Sequence, residues 1–176
     1  MIVYIGIDNG TSGSIGIIAG KDVKYIKMPS YRERNYTKKK QFIRRIDFKK
    51  LIEILCEYKN LRIKCCMERP YTSKFSKTAL ISARAFEATL LALQIFNIKP
   101  IIIDSLEWQN LYLPGKLIGE ERKSASLLLG KKWFPSINFK RFKDADGILI
   151  AKYLQYKMTE LHHISEMSRY VMEELR

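Results

Sequence analysis

The amino-acid sequence predicts an α/β domain in which a mixed five-stranded sheet is flanked by helices. Three observations predict this fold class: short apolar runs separated by turn residues near the start, apolar residues at helical spacing after residue 47, and alternation of the two patterns further along. The chain has 176 residues and is 47% hydrophobic, which is enough for one compact core and leaves little room for a second domain.

The first part of the predicted sheet is an antiparallel meander. Residues 2–7 (IVYIGI), 14–20 (SIGIIAG) and 22–28 (DVKYIKM) are apolar runs joined by short turns, as in strands that pair consecutively. The next segment, residues 30–45, is polar and basic with interspersed aromatic residues. This composition predicts a loop, which is either exposed to solvent without a partner or binds a nucleic-acid backbone.

The second part of the chain alternates helices with strands that run parallel to the first. Asp47 is a predicted N-cap, because apolar residues recur after it at helical spacing, at Phe48, Leu51, Ile52, Leu55 and Tyr58. Two more apolar runs, 61–68 and 99–104, complete the five strands. Further helices are predicted over 79–96, from 105, over 119–133 and over 144–156. Residues 1–158 form the predicted domain, and 159–176 form a C-terminal helical tail of the same domain.

The charge of the chain favours a polyanionic partner. It has 32 Lys and Arg residues against 18 Asp and Glu, a net charge of +14 and a pI near 9.7. Nucleic acid is the expected partner, ahead of an anionic membrane surface or a basic protein without such a partner. A diffuse positive field, in which no single residue is assigned a contact, comes from Arg32, Arg34, Lys38, Lys39, Lys40, Arg44 and Arg45.

The cysteines and the N-terminus indicate a cytoplasmic protein with no membrane attachment. The three cysteines are odd in number, and Cys65 and Cys66 are adjacent, so on a strand they point to opposite faces. They are expected to be reduced residues of the core. The apolar start of the chain is interrupted at Asp8, which argues against a signal peptide, and no run of 18 uninterrupted apolar residues is present.

Acidic residues occupy three places where they can meet. Two predicted strands end on a carboxylate, Asp8 and Glu68, and a late helix begins with the pair Asp144 and Asp146. Neighbouring strands bring their ends together, and a cluster of buried acids requires a compensating charge. A divalent metal such as Mg²⁺ supplies this charge with oxygen ligands. Two such metals about 4 Å apart can hydrolyse a phosphodiester.

Three segments carry a resemblance to a known family. GIDNGTSGSIGI, MERPY and DADGILIA resemble the metal-binding elements of the RuvC-like Holliday junction resolvases, within the RNase H-like superfamily. The resemblance covers about residues 1–158 and is closest to the compact resolvases of bacteriophages. It implies an RNase H-like fold for this nuclease domain, a homodimer, Mg²⁺ or Mn²⁺ as the only cofactor, and paired nicks across four-way and other branched DNA junctions.

The resemblance also implies catalytic, metal-binding roles for Asp8, Glu68 and Asp146. Bacterial members place a further aspartate three residues before the one that matches Asp146, but that position here is Lys143, and the extra acid is Asp144. Residues two apart on a regular helix differ by about 200° in direction. Two alternatives follow. Either Asp144 is the N-cap of the helix, or the helix begins later and both aspartates converge on the metal.

DNA-binding residues are implied in two further segments. Tyr71, three residues after Glu68, matches the region where the family can insert an aromatic side chain into an opened junction, although a tyrosine packed under the loop is equally compatible with the sequence. Lys74 and Lys77 can hold phosphates. Lys123 falls near a lysine that acts at the scissile phosphate, and Arg122 can substitute for it, although Lys123 could also be an ordinary exposed helix cation.

Different interpretations of the same residues remain open. Asp8 could belong to an ordinary strand-end turn, and Glu68 could form an ion pair with Arg69. The loop after Asp8 also resembles the first phosphate loop of sugar-kinase-like ATPases, but those proteins need two such domains. The protein could also be a nuclease for RNA/DNA hybrids or other nucleic acids, or a DNA-binding module without catalytic activity.

Overall fold

The computed structural model describes residues 1–34, 42–70, 76–115 and 117–174, with the backbone alone at 76–77 and 161–174. The strands are β1 (Ile2–Asp8), β2 (Ser14–Ala19), β3 (Asp22–Lys27), β4 (Ser30–Arg34), β5 (Phe42–Ile46), β6 (Arg62–Glu68) and β7 (Ile101–Ile103). The central sheet has the order β3-β2-β1-β6-β7. β1, β2 and β3 are antiparallel neighbours, whereas β6 is parallel to β1 and β7 to β6. The predicted mixed five-stranded sheet is confirmed.

The basic segment predicted as a loop is instead, where described, a two-stranded hairpin. β4 and β5 pair antiparallel, with Ser30 opposite Ile46 and Arg34 opposite Phe42. Only Ile43 and Ile46 of β5 are buried, so apolar residues gave little indication of a strand. The hydrogen bonds of the ladder satisfy the backbone of an otherwise polar hairpin. Residues 35–41, which include Lys38, Lys39 and Lys40, lie outside the described part.

The helices follow the predicted order. They are α1 (Phe48–Cys56), α2 (Ser76–Ile95), α3 (Ser105–Tyr112), α4 (Gly119–Trp133) and α5 (Asp146–Glu174), with a short 3-10 helix at Phe139–Arg141. The predicted N-cap of α1 is confirmed, because the backbone N–H of Lys50 donates to Asp47 Oδ1 at 3.2 Å. The predicted helix over 144–156 and the predicted tail helix are one continuous helix, α5.

The sheet separates two hydrophobic cores. On one face, Val3, Ile5 and Ile7 pack with α1 and α2. On the other face, α3, α4 and α5 enclose a second cluster, which includes Trp108 and Ile148. The adjacent residues Cys65 and Cys66 belong to different clusters, as their alternation along β6 predicts.

Helix α5 crosses the sheet in direct backbone contact. A Cβ atom at Gly6 of β1 would overlap the backbone N of Ala151, and one at Gly16 of β2 would overlap the Cα of Ile148. Because Gly6 and Gly16 have no side chain, the first two turns of α5 can lie directly on the sheet. A side chain at either position would hold the helix away from the sheet. This contact places the start of α5 close to the end of β1.

Helix α2 combines a buried face with an apolar outer surface. The stretch Thr78–Ile95 is long and apolar enough to cross a membrane by length and composition, with a mean hydropathy of 1.2. Ala85, Ala92 and Leu93 are nevertheless buried in the core beneath it, and the exposed residues include the charged Arg84. One face of α2 therefore packs on the sheet, while most of its residues are not fully buried.

Candidate metal centre

Three carboxylates converge at the end of the sheet. Asp8 is the last residue of β1, Asp144 precedes α5, and Asp146 is its first residue. One oxygen atom from each of the three lies within 4.8 Å of the others. The backbone contact of α5 with β1 and β2 brings the aspartates together across about 140 residues of sequence.

The structure shows where α5 begins relative to Asp144. The backbone N–H groups of Ile148 and Leu149 both donate to the carbonyl of Ala145, so the regular helix begins after Asp144. The Tyr25 hydroxyl lies 3.2 Å from Asp144 Oδ1. The helix therefore starts late, and Asp144 and Asp146 face the same point because they do not lie two apart on a regular helix.

Two buried serines fix the start of α5. Ser126 Oγ donates to Asp146 Oδ1 and accepts from the backbone N–H of Ala145 at 3.1 Å. Ser14 Oγ accepts from the backbone N–H of Gly147 at 3.1 Å and lies 2.9 Å from the Tyr25 hydroxyl. Sequence reasoning missed both serines. A hydroxyl in an otherwise apolar strand could have identified Ser14, whereas Ser126 lies in a helix with many polar residues and gave no such signal.

Glu68 occupies the neighbouring strand end. Trp108 is fully buried, and its Nε1–H donates to Glu68 Oε1 at 2.5 Å. Glu68 lies outside the group of three aspartates, but among neighbouring charges its carboxylate has the largest raising effect on the Asp8 pKa. Trp108 was also missed, because nothing near position 108 in the sequence indicates Glu68 as its partner.

The ion pair considered between Glu68 and Arg69 is not formed. Arg69 instead pairs with Asp104, whose carboxylate also caps α3 by accepting from the backbone N–H of Leu106 at 3.1 Å. Asp104 N–H donates in turn to Glu107 at 2.8 Å, which completes a capping box. Glu68 therefore remains available at the end of β6, held by Trp108.

The carboxylates are electrostatically costly where they lie. Burial, followed by repulsion from Glu68, Asp146 and Asp144, raises the pKa of Asp8 well above its usual range. Burial, followed by repulsion from Asp144, raises the pKa of Asp146 to about 7. Burial is also the main cause of the raised pKa of Glu68. Bringing a cation to this site would stabilise all of these charged forms.

The donor set fits a hard divalent cation. The atoms that converge are carboxylate oxygens, the ligands that Mg²⁺ and Mn²⁺ take in proteins. Asn9 follows Asp8 in the sequence, and both polar atoms of its amide are buried without a hydrogen-bond partner among the described residues. Buried polar atoms are normally hydrogen-bonded, so the unpartnered amide is a place where a water or a ligand can bind.

The predicted cations occupy different positions. The charge of Lys123 lowers the pKa of both Asp8 and Asp146, so this side chain lies near the acids, and its Nζ is 3.6 Å from Glu120. Arg122 bridges α4 to α3, because its guanidinium donates to Gln109 Oε1 at 3.0 Å and to the carbonyl of Leu117 at 2.8 Å.

Three predicted DNA-binding residues fall outside what the structure describes. Tyr71 and Lys74 lie in the segment 71–75, and of Lys77 only the backbone is described. Their predicted contacts therefore stay predictions, as does the role of Arg122 and Lys123 at a phosphate.

Comparison with known proteins shows the fold. No sequence profile of a known family matches the chain, and no curated protein matches it. Among solved structures, it is similar to Thermus thermophilus RuvC in complex with a Holliday junction substrate, with a TM-score of 0.57 and 12% identity over 90% of this chain and 96% of that one. A second structure of Thermus thermophilus RuvC gives a TM-score of 0.53 and 16% identity over 85% and 90%.

The likeness extends over nearly the whole of both chains. It defines a RuvC-like, RNase H-like α/β fold, as the sequence predicts. At identities of 12% and 16% the comparison carries the fold alone, and the chemistry rests on the residues of this chain.

Proposed function

We propose that this protein is a metal-dependent, structure-selective DNA endonuclease that resolves four-way (Holliday) and other branched junctions by paired phosphodiester nicks. One observation carries the proposal: Asp8, Asp144 and Asp146 converge within 4.8 Å on a RuvC-like fold, with Glu68 on the adjacent strand. Fold similarity alone would not favour catalysis, because many proteins share a fold without sharing chemistry.

The four acids are the proposed metal ligands. Mg²⁺, or Mn²⁺ in its place, would activate the attacking water and stabilise the leaving oxygen, as in two-metal phosphodiester hydrolysis. Ser126 and Trp108 orient the carboxylates of Asp146 and Glu68 through their hydrogen bonds. Lys123, whose charge lowers the pKa of Asp8 and of Asp146, is the proposed contact for the scissile phosphate.

Branched DNA is the proposed partner. The net charge of +14 supplies the electrostatic attraction, and one RuvC neighbour was solved with a Holliday junction substrate. Tyr71, Lys74, Lys77, Arg122 and Lys123 are the proposed DNA-binding residues. Paired nicks require two active sites, which a homodimer provides. The protein would act in the cytoplasm, which for a bacteriophage-type resolvase is the cytoplasm of the bacterial host. It would need neither a membrane nor a cofactor other than the metal.

A nicking assay with three substrates tests the proposal. A four-way junction, a linear duplex and an RNA/DNA hybrid are incubated with the wild-type protein, with Mg²⁺ and with EDTA. Metal-dependent, symmetrical nicks in the junction are expected. Preferential cleavage of the hybrid would show that RNA/DNA hybrids, and not junctions, are the substrate. Cleavage in EDTA would contradict the proposal that a metal is required.

Asp8→Asn and a matched control sharpen this assay. Asp22 is exposed and pairs with Ala19, and Ala19 pairs with Val3 near the start of β1. Asp22 therefore lies at the end of the sheet opposite to Asp8. Asp22→Asn therefore removes the same charge far from the site. We expect Asp8→Asn to lose nicking but keep junction binding, and Asp22→Asn to keep both. Binding without nicking by the wild type would favour a module without catalytic activity.

A further inference from the structure

A groove with three arginines lies between β5 and α2. Its volume is about 160 Å³, and its polar rim and apolar floor are formed by side chains from four parts of the chain. The rim contains Thr11, Tyr31, Arg44, Arg45 and Arg84. We call it the arginine groove.

The charge in the arginine groove is only partly compensated. Arg45 pairs with Glu33 across the hairpin. Within the part of the chain that the structure describes, Arg44 and Arg84 have no ion-pair partner, although both line the same groove. Uncompensated guanidinium groups around one cavity repel each other, and an anion between them removes that repulsion.

The groove is fixed in position relative to the metal centre. Thr11 follows Asp8 by three residues, so their Cα atoms are at most about 11 Å apart. The backbone N–H of Met28 donates to the carbonyl of Gly13 at 2.9 Å, which ties the base of the hairpin to the same turn. The other wall, α2, follows the loop that leaves Glu68. One wall, α2, therefore follows the strand that ends at Glu68, and the hairpin is tied to the turn that follows Asp8.

We propose that the arginine groove binds one phosphodiester of the DNA strand that is cut, within about three nucleotides of the scissile phosphate. The inference rests on the proposed function. Guanidinium groups bind phosphate oxygens through paired hydrogen bonds, and the hydroxyls of Thr11 and Tyr31 add further donors. One strand of B-DNA carries one phosphate per about 3.4 Å of helix axis, and the path along its backbone is longer than this rise, so a groove that begins within about 11 Å of Asp8 lies no more than about three phosphates from the cut.

The floor of the groove fits the groups beside that phosphate. It is formed by aliphatic side chains, of which Ile43, Ile46 and Ala85 are buried. An apolar floor below a cationic rim can contact the deoxyribose carbons while the arginines hold the charge. A free inorganic anion would use only the rim.

A series of neutral phosphates tests the site. Methylphosphonate replaces each phosphate in turn over the nucleotides around the branch point of a synthetic four-way junction. Junction binding is measured in EDTA for the wild type and for the double variant Arg44→Gln/Arg84→Gln. The control is Lys59→Gln/Arg62→Gln, because Arg62 starts β6 about 20 Å from Glu68 at the opposite end of the sheet. The wild type is also assayed for nicks with Mg²⁺.

The expected result is one sensitive position close to the nick. Neutralising that phosphate should weaken binding by the wild type and by the control about tenfold, the effect of losing a charged hydrogen bond, and should not affect the double variant. The salt dependence of binding by the double variant should also fall, by about 0.9 in logarithmic slope for each phosphate that the variant no longer neutralises.

Equal sensitivity of the wild type and the double variant at every position would overturn the groove as a phosphate site. Because binding is measured in EDTA, this result is independent of cleavage. If the wild type binds the junction but makes no nicks, the endonuclease proposal fails while the binding series still decides whether the groove holds a phosphate. Failure of the wild type to bind DNA would overturn both.

Discussion

The two faces of the central sheet are built in different ways. On the face covered by α1 and α2, packing is aliphatic, with Leu51, Leu55 and Leu93 fully buried. On the other face, backbone contacts between α5 and the sheet bring together polar groups, which include Ser14, Tyr25, Ser126 and Trp108 around the acids. The first face is expected to supply mainly stability, and the second to supply mainly geometry.

The largest expected effect comes from the acids on the polar face. Asp144→Asn and Asp146→Asn should each reduce nicking by orders of magnitude, because both carboxylates converge with Asp8. Neither change should lower the melting temperature in EDTA, since each removes a charge that repels its neighbours. Single-turnover nicking and thermal melting measure the two effects. If Asp144→Asn kept most of its activity, Asp144 would be a helix-end residue and not a ligand.

A substitution on the aliphatic face should give the opposite pattern. Leu51→Ala removes a fully buried side chain of α1 and should lower the free energy of unfolding by about 2–5 kcal/mol. Nicking per folded molecule should stay unchanged below the melting transition, because Leu51 packs in the cluster on the other side of the sheet from α5. Urea unfolding and nicking at low temperature separate the effects. A large loss of activity in fully folded protein would show that the faces are coupled.

Removing an orienting hydrogen bond should have an intermediate effect. Ser126→Ala leaves Asp146 without its hydroxyl partner and Ala145 N–H without an acceptor. Partners behind metal ligands are typically worth about 10–100-fold in metal affinity or activity. The expected change is a loss of this size with a raised Mg²⁺ requirement, measured by nicking over a metal titration. If Ser126 had a purely structural role, Ser126→Ala would reduce stability and leave the metal requirement unchanged.

The smallest effect is expected at Tyr25. Its hydroxyl lies near both Ser14 Oγ and Asp144, while its ring packs against Phe142 with centroids 4.3 Å apart. Tyr25→Phe keeps the ring and removes the hydroxyl, so we expect a loss of about 1 kcal/mol in stability. Nicking should fall less than with Ser126→Ala. An effect as large as that of Asp144→Asn would give Tyr25 a direct role at the site.

The sequence predicted the elements that depend on local pattern. The five strands of the central sheet, the N-cap at Asp47 and the opposite directions of Cys65 and Cys66 follow from periodicity over a few residues. The proximity of Asp8 and Glu68 followed from one further step, that strand ends on neighbouring strands meet at one edge of the sheet.

The parts that sequence reasoning missed depend on distant partners or on short segments. Trp108 and Glu68 are 40 residues apart, and Ser126 and Asp146 are 20 apart, so no local pattern links them. The hairpin was missed because β4 is polar and the apolar residues of β5 (FIRRI) do not alternate with polar ones. The start of α5 could not be fixed, since an aspartate at position 144 suits either a cap or a ligand.

Binding of Mn²⁺ tests the central claim most directly. A crystal soaked in Mn²⁺ and measured at the manganese edge should show anomalous density between Asp8, Asp144 and Asp146. The same experiment on Asp8→Asn should show weak density or none, while Asp22→Asn should match the wild type. Absence of manganese in the wild type, or density that persists undiminished in Asp8→Asn, would contradict the account.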